Sequence, residues 1–165
     1  MEKMVLEKFC KELKIRDASV TFSKILNSYK NSFLFESKDV SHIYGMLSLI
    51  CVDPVLEIRG KNNKFSITVL NKRGDNYLKL LRNNDFKIAD SFKRRAHSFE
   101  GEILKSGSNF EETHRTKRKN ISKIIRIIID KFKQKDKELV GLYGAFSYDF
   151  IRLFEDIHNI LADEG

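Results

Sequence analysis

Val55-Leu56-Glu57-Ile58-Arg59-Gly60-Lys61-Asn62-Asn63-Lys64-Phe65-Ser66-Ile67-Thr68-Val69-Leu70 is the stretch that decides the fold class. Residues 55–59 and 65–70 predict two strands of one hairpin, and residues 60–64 supply the turn through Gly60, Asn62 and Asn63. Phe65, Ile67 and Val69 alternate with Ser66, Thr68 and Leu70, the pattern of a half-buried strand. A hairpin with one apolar face needs other elements against that face. The neighbouring sequence is therefore read for strands to extend the sheet and helices to cover it.

Toward the N-terminus, Asp53-Pro54 punctuates the chain, because the residue before a proline is pushed to extended backbone. Residues 46–52 predict a strand. The longest apolar run, 43–52, is broken by Gly45 and Ser48 and reads as a buried strand pair. Residues 32–36 predict another strand, whose consecutive Phe33, Leu34 and Phe35 imply cover on both faces. Thr21 is expected to cap a short helix carrying Phe22, Ile25, Leu26 and Tyr29, with a stop at Asn31. Residues 1–13 show helical spacing at Val5, Leu6, Phe9, Cys10 and Leu13.

Toward the C-terminus, residues 71–76 read as a polar turn containing Gly74, and 77–81 as the start of a short helix. Residues 83–109 carry scattered apolar side chains among many charges, and part of that stretch is expected to be a surface excursion. Residues 120–132 predict the clearest helix, with Ile121, Ile124, Ile125, Ile128 and Phe132 in one stripe that Ile127 and Ile129 widen. Residues 139–150 predict a strand whose Gly141 and Gly144 permit close packing or a bulge. Residues 150–161 predict a last helix. This order makes an α+β fold, an antiparallel sheet packed with helices, and not a repeating βαβ chain.

The composition is that of a globular protein: 165 residues, 41% apolar and 33% charged. One domain is the expected count. The net charge of +8 is local. Residues 115–137 hold ten basic and two acidic side chains, and the remainder holds 21 of each. Two cysteines make no disulfide framework, so Cys10 and Cys51 are expected as small buried hydrophobes in a reducing, cytoplasmic setting. No apolar run approaches the length of a membrane span.

Few sites stand out. His42, His97, His114 and His158 are far apart and neither cysteine has a partner at ligand spacing, so no metal is expected. There is no phosphate-binding loop and no nucleophile elbow. Two candidates remain. Arg115, Lys117, Arg118, Lys119, Lys123 and Arg126 form a basic surface that could neutralise phosphates along a helix. Equally, they are the solvated face of the isoleucine-striped helix. Aromatic residues do not interleave with them as base stacking requires, so nucleic acid is the alternative partner and not the expected one. The second candidate is the strand end Glu36-Ser37, where a carboxylate and a hydroxyl could hold the ammonium of an amino acid.

Ser32-Phe33-Leu34-Phe35-Glu36-Ser37 resembles the early Ser-Phe-Leu-Leu-Glu-Ser strand of anthranilate synthase component I and its chorismate-using relatives. Val52-Asp53-Pro54 and the hairpin after it resemble the next family segment. Residues 112–132 and Gly141-Leu142-Tyr143-Gly144-Ala145-Phe146-Ser147-Tyr148-Asp149 resemble the form found in fused anthranilate synthases. The four segments keep the family order and cover most of residues 21–155. The chain departs from the pattern at His42-Ile43-Tyr44, where the family has a Gly-Arg-Tyr type sequence, and at Ser147, where the fused form keeps glycine.

The resemblance implies a single partial domain, residues 1–165, equivalent to the N-terminal region of a lyase of tryptophan biosynthesis. It implies that tryptophan binds at Glu36 and Ser37 as a feedback ligand. The family's chorismate and Mg²⁺ sites belong to a larger C-terminal region whose signature segments these residues lack. No catalytic residue and no cofactor are therefore expected here. The implied partners are a chorismate-binding domain and a glutamine amidotransferase. An incomplete sheet would leave apolar surface open, so a homo-oligomer is also expected.

Overall fold

The computed structural model describes residues 9–37, 47–104, 119–133, 141–155 and 157. These form an α+β fold with two antiparallel sheets packed against helices. The order is α1 (Ala18–Leu26), β1 (Phe33–Glu36), β2 (Ser48–Cys51), β3 (Leu56–Lys61), β4 (Lys64–Val69), α2 (Lys72–Leu80), β5 (Ser91–Arg94), β6 (Ser98–Glu102) and α3 (Ser122–Phe132). Short 3-10 turns cover Asn83–Phe86 and Tyr148–Leu153.

The hairpin forms as its sequence predicts. β3 and β4 pair from Leu56↔Val69 to Lys61↔Lys64, and Asn62 takes the left-handed backbone that the tight connection needs, at φ 55°. β6 pairs with β4 and β5 with β6, giving the strand order β3-β4-β6-β5. Alternation sorts the sheet into two faces. Leu56, Ile58, Phe65, Ile67, Val69 and Phe99 face the core. Glu57, Arg59, Ser66, Thr68, Lys93 and Glu100 take the opposite, polar face.

The core is built by α2, α3 and the first 3-10 turn against that apolar face. Ile67, Leu78, Leu81, Phe86, Phe99, Ile103, Ile124 and Ile128 are all fully enclosed. Phe86 is the centre, with ring centroids 5.1 Å from Phe99, 6.1 Å from Phe65 and 6.4 Å from Phe92. Part of the stretch 83–104 is surface, as expected, since residues 91–97 are all exposed, but Phe86, Phe99 and Ile103 supply core. The stretch shows no apolar period because it is broken into a 3-10 turn and two short strands. Residues 105–109 lie outside the described residues.

Two glycines make this packing possible. A Cβ on Gly101 would lie 2.7 Å from the Phe65 ring and 2.8 Å from the Ser91 carbonyl oxygen. A Cβ on Gly74 would lie 2.1 Å from the Val55 carbonyl oxygen, so only glycine lets α2 approach the start of β3 so closely. Residues 71–76 are accordingly no turn. Asn71 is the N-cap of α2, its Oδ1 accepting from the Gly74 N–H at 3.1 Å, and the helix begins five residues before Tyr77. The Asn and Gly that suggest a turn are here a cap and a close-approach site.

α3 carries the predicted isoleucine stripe. Ile121, Ile124 and Ile128 are buried and Ile125, Ile127 and Phe132 half-buried, but Ile129 faces outward at 45% exposure and does not widen the stripe. Buried Asn120 ties the helix start to the second 3-10 turn. Its Nδ2 donates to the Leu153 carbonyl at 3.1 Å, and its Oδ1 accepts from the Ser122 N–H at 3.0 Å.

The smaller sheet, β1-β2, pairs Phe33↔Cys51 through Glu36↔Ser48 and packs with α1. The expectation that β1 is covered on both faces fails: Phe33 and Leu34 are half-buried, and Phe35 and Glu36 exposed. The run 43–52 is likewise no buried strand pair where described, since β2 is exposed at Ser48 and half-buried beyond it. α1 is capped by Asp17, whose carboxylate accepts from the Val20 N–H at 2.9 Å; Thr21 lies inside the helix and its hydroxyl returns to the Asp17 carbonyl. Tyr29 falls beyond the helix end. Residues 9–13 of the expected first helix are not helical and Cys10 is exposed rather than buried; residues 1–8 lie outside the described residues.

Residues 141–147 form no strand, and a Cβ on Gly141 or Gly144 meets nothing within 4 Å, so neither glycine serves close packing. The last predicted helix is a 3-10 turn as far as Leu153, and residues 156 and 158–165 lie outside the described residues.

Candidate functional site

Glu36 ends β1, opposite Ser48 of β2. Its carboxylate accepts from two hydroxyls, Ser19 Oγ at 3.2 Å on Oε2 and Ser48 Oγ at 3.4 Å on Oε1. Ser19 stands in the first turn of α1, where partial positive charge gathers and attracts a carboxylate. Three elements thus converge on one acidic group at the surface. The ladder continues one residue further, the Ser37 N–H donating to the Leu47 carbonyl at 3.1 Å. Alternation then puts Ser37 on the opposite face from Glu36, the face of Phe33, Phe35, Leu49 and Cys51.

That second face is aromatic. The Phe33 and Phe35 rings meet edge to face at 5.1 Å, and Tyr143 approaches Phe33 at 6.4 Å. The 141–147 segment, which resembles the family's late strand, therefore comes beside the strand that resembles its early one. Burial pushes the Cys51 thiol above its ordinary value, which keeps it protonated and unreactive. Glu36 and Ser37, adjacent in sequence, are the two sides of one strand end: a hydroxyl-held carboxylate on one, a hydroxyl beside aromatic rings on the other.

The site is coupled to the main sheet by Asp53, in the Val52-Asp53-Pro54 connection. Asp53 holds φ 51°, a left-handed conformation. Arg73 Nη2 donates to its Oδ2 at 2.6 Å and Asn71 Nδ2 to its Oδ1 at 2.9 Å. The Asp53 N–H donates to Ser32 Oγ, just before β1, at 3.4 Å. The cap of α2, the inter-sheet connection and the start of β1 therefore share one polar cluster. Asp53-Pro54 is visible in sequence as punctuation, but its partners Asn71 and Arg73 are not, because they lie about 20 residues away.

Of the basic surface, Arg115, Lys117 and Arg118 lie outside the described residues. Lys119 Nζ pairs with Asp90 at 2.6 Å, and on α3 Lys131 pairs with Asp85 at 2.9 Å and Lys133 with Asp130 at 2.7 Å. The Lys119 hydrogen bond and the Leu104 N–H hold Asp90 below the usual carboxylate range. Burial pushes Asp85 up, but the Arg82 N–H and Lys131 together outweigh it and hold it low. Lys119 and Lys131 thus fasten α3 and its lead-in to the loops around the core. Lys123 is half-exposed and Arg126 exposed on α3.

Among the described residues no group of three His, Cys, Asp or Glu side chains could hold a metal ion. No helix among the described residues is long and apolar enough to cross a membrane.

No family model and no solved structure matches this chain. Three curated proteins do. Anthranilate synthase component 1 of Buchnera aphidicola subsp. Diuraphis noxia is 28% identical over 142 residues, 84% of this chain and 27% of that protein. The protein of the same name from Buchnera aphidicola subsp. Schizaphis graminum is 22% identical over 90% of this chain and 29% of its own length. That from subsp. Acyrthosiphon pisum is 23% identical over 87% of this chain and 28% of its own. The chain spans a little over a quarter of the length of the curated relatives it matches, and it is a weak homologue, over most of its own length, of part of anthranilate synthase component 1.

Proposed function

We propose that this chain is the non-catalytic, N-terminal portion of an anthranilate synthase system and that the end of β1 binds tryptophan. In the complete system chorismate and glutamine would give anthranilate. The chorismate site, its Mg²⁺ and the glutamine amidotransferase would belong to the rest of that system. The observation that carries this reading is the convergence at Glu36. A carboxylate placed at a strand end and touched by two hydroxyls attracts an ammonium. The homology to anthranilate synthase component 1 supports it by making an end product of tryptophan biosynthesis the natural ligand.

Melting the full chain with and without ligand tests the proposal, because only a ligand that prefers the folded form raises the transition temperature. Tryptophan should raise it, chorismate and a short DNA duplex should not, and Glu36→Gln or Ser37→Ala should weaken the tryptophan response. A melting temperature indifferent to tryptophan, or one raised by DNA instead, would contradict the proposal.

A further inference from the structure

We propose that the β5 edge of the four-stranded sheet is a docking site for an extended acidic segment of a partner protein, which joins the sheet as a further strand. The inference is independent of the tryptophan reading above. The strand order β3-β4-β6-β5 leaves two edges. At the β3 edge, Ala145, Phe146 and Ser147 line a small cavity together with Ile58 and Gly60, so chain already stands against it. At the β5 edge all four residues of the strand are exposed, and so is the turn as far as His97. The ladder with β6 runs on to Arg95, whose N–H donates to the Ser98 carbonyl at 2.8 Å. Antiparallel alternation then turns the backbone groups of Lys93 and Arg95 toward β6 and those of Phe92 and Arg94 away from it. An incoming strand can pair with the latter two.

The side chains of the edge select that strand. Lys93 stands opposite Glu100, but the Glu100 carboxylate pairs with Arg95 at 3.1 Å. Arg94 lies over the Phe99 ring at 4.7 Å and donates to the Leu81 carbonyl at 3.1 Å, neutral partners that leave its charge unbalanced. Asp90, just before the strand, is taken by Lys119. Phe92 sits at the rim of the aromatic core, 6.4 Å from Phe86, and is still 37% exposed. A second copy of this edge would bring like charges together, and charged side chains on an edge strand commonly guard against such pairing. An acidic strand gains from the same charges. The pattern that fits has one acid beside Lys93, one beside Arg94 and an apolar side chain beside Phe92, covering the exposed part of that ring.

A fluorescein-labelled peptide with a Glu-Glu-Val centre and threonine flanks, titrated with the full chain, tests this by anisotropy. Saturable binding that weakens as salt rises is expected. Lys93→Glu should weaken it by about three- to tenfold, the scale of a cross-strand charge pair made repulsive. Lys93→Met, which removes the charge and keeps the apolar stem, should weaken it less. One alternate set of the peptide's amides faces the edge and the other faces away. Of two peptides methylated on alternate backbone nitrogens, one should therefore lose about tenfold and the other little. Arg126→Glu on α3 should leave binding nearly unchanged at physiological salt. Equal binding of both methylated peptides and the parent would show attraction by net charge alone and overturn the proposal. So would absence of binding, or a loss in Arg126→Glu as large as in Lys93→Glu. Self-association that Phe92→Ser abolishes would put a second copy on this edge and overturn it as well.

Discussion

Asp53 sits in left-handed backbone with its side chain held by Arg73 and Asn71. Alanine there would lose those partners and keep the unfavourable φ, which costs about 1–2 kcal/mol for a residue with a Cβ. Glycine would lose the same side-chain bonds without the conformational cost. Asp53→Gly should therefore be the milder variant by about 1 kcal/mol, and urea unfolding of the two checks it. The acidic partners of the basic segment make a second prediction at this scale. Asp85 and Asp90 have folded values below their unfolded ones. Their stabilisation is complete above the unfolded value near 4 and is lost as pH falls through the folded values. The urea midpoint should depend little on these two groups between pH 7 and 5. It should fall below about pH 4, and that fall should be shallower in Asp85→Asn and Asp90→Asn.

At the scale of elements, glycines divide sharply into those that packing requires and those it does not. Gly101→Ala would drive a methyl into the Phe65 ring and the Ser91 carbonyl oxygen, and backbone cannot yield as a side-chain tip can. The expected loss is about 1–3 kcal/mol, the range for overpacked cores. Gly141→Ala and Gly144→Ala meet open space and should stay within about 0.5 kcal/mol of wild type; denaturant midpoints of the three separate the cases. The sequence suggests the reverse, because Gly141 and Gly144 lie among bulky residues and Gly101 among charges. Legibility tracks period. The hairpin repeats every second residue and α3 every third or fourth, so β3, β4 and α3 stand where their patterns put them. α2 was half legible, since Asn71 signals a cap and a turn alike and only the contact with Val55 decides. Phe86 and Phe99 were illegible as core because each comes from an element too short to show a period, and Ile103 because it lies just past the end of β6. The candidate site was legible as Glu36-Ser37, but Ser19 and Ser48 were not, since only strand register and helix docking bring them there.

At the scale of the molecule, the two sheets differ in how well they are enclosed. The four-stranded sheet has a closed core. The β1-β2 side and the 141–155 segment leave Phe35, Leu47, Phe146 and Tyr148 exposed, the last at 88%. Large apolar side chains left in contact with water favour association where they adjoin. Light scattering should find oligomers at high concentration, and a clean monomer throughout would show that this surface is inert. The basic segment is less open to an anionic partner than its count of charges suggests, because Lys119, Lys131 and Lys133 each pair with an acid of the same chain, while the net charge stays +8.

The most direct measurement is the fluorescence anisotropy of tryptophan itself, titrated with the full chain, since the protein has no tryptophan to interfere. Saturable binding that Glu36→Gln weakens about tenfold or more, the scale of a lost charge-assisted hydrogen bond, is the expected result. Anisotropy that stays at the free-ligand value while the chain is demonstrably folded would contradict it.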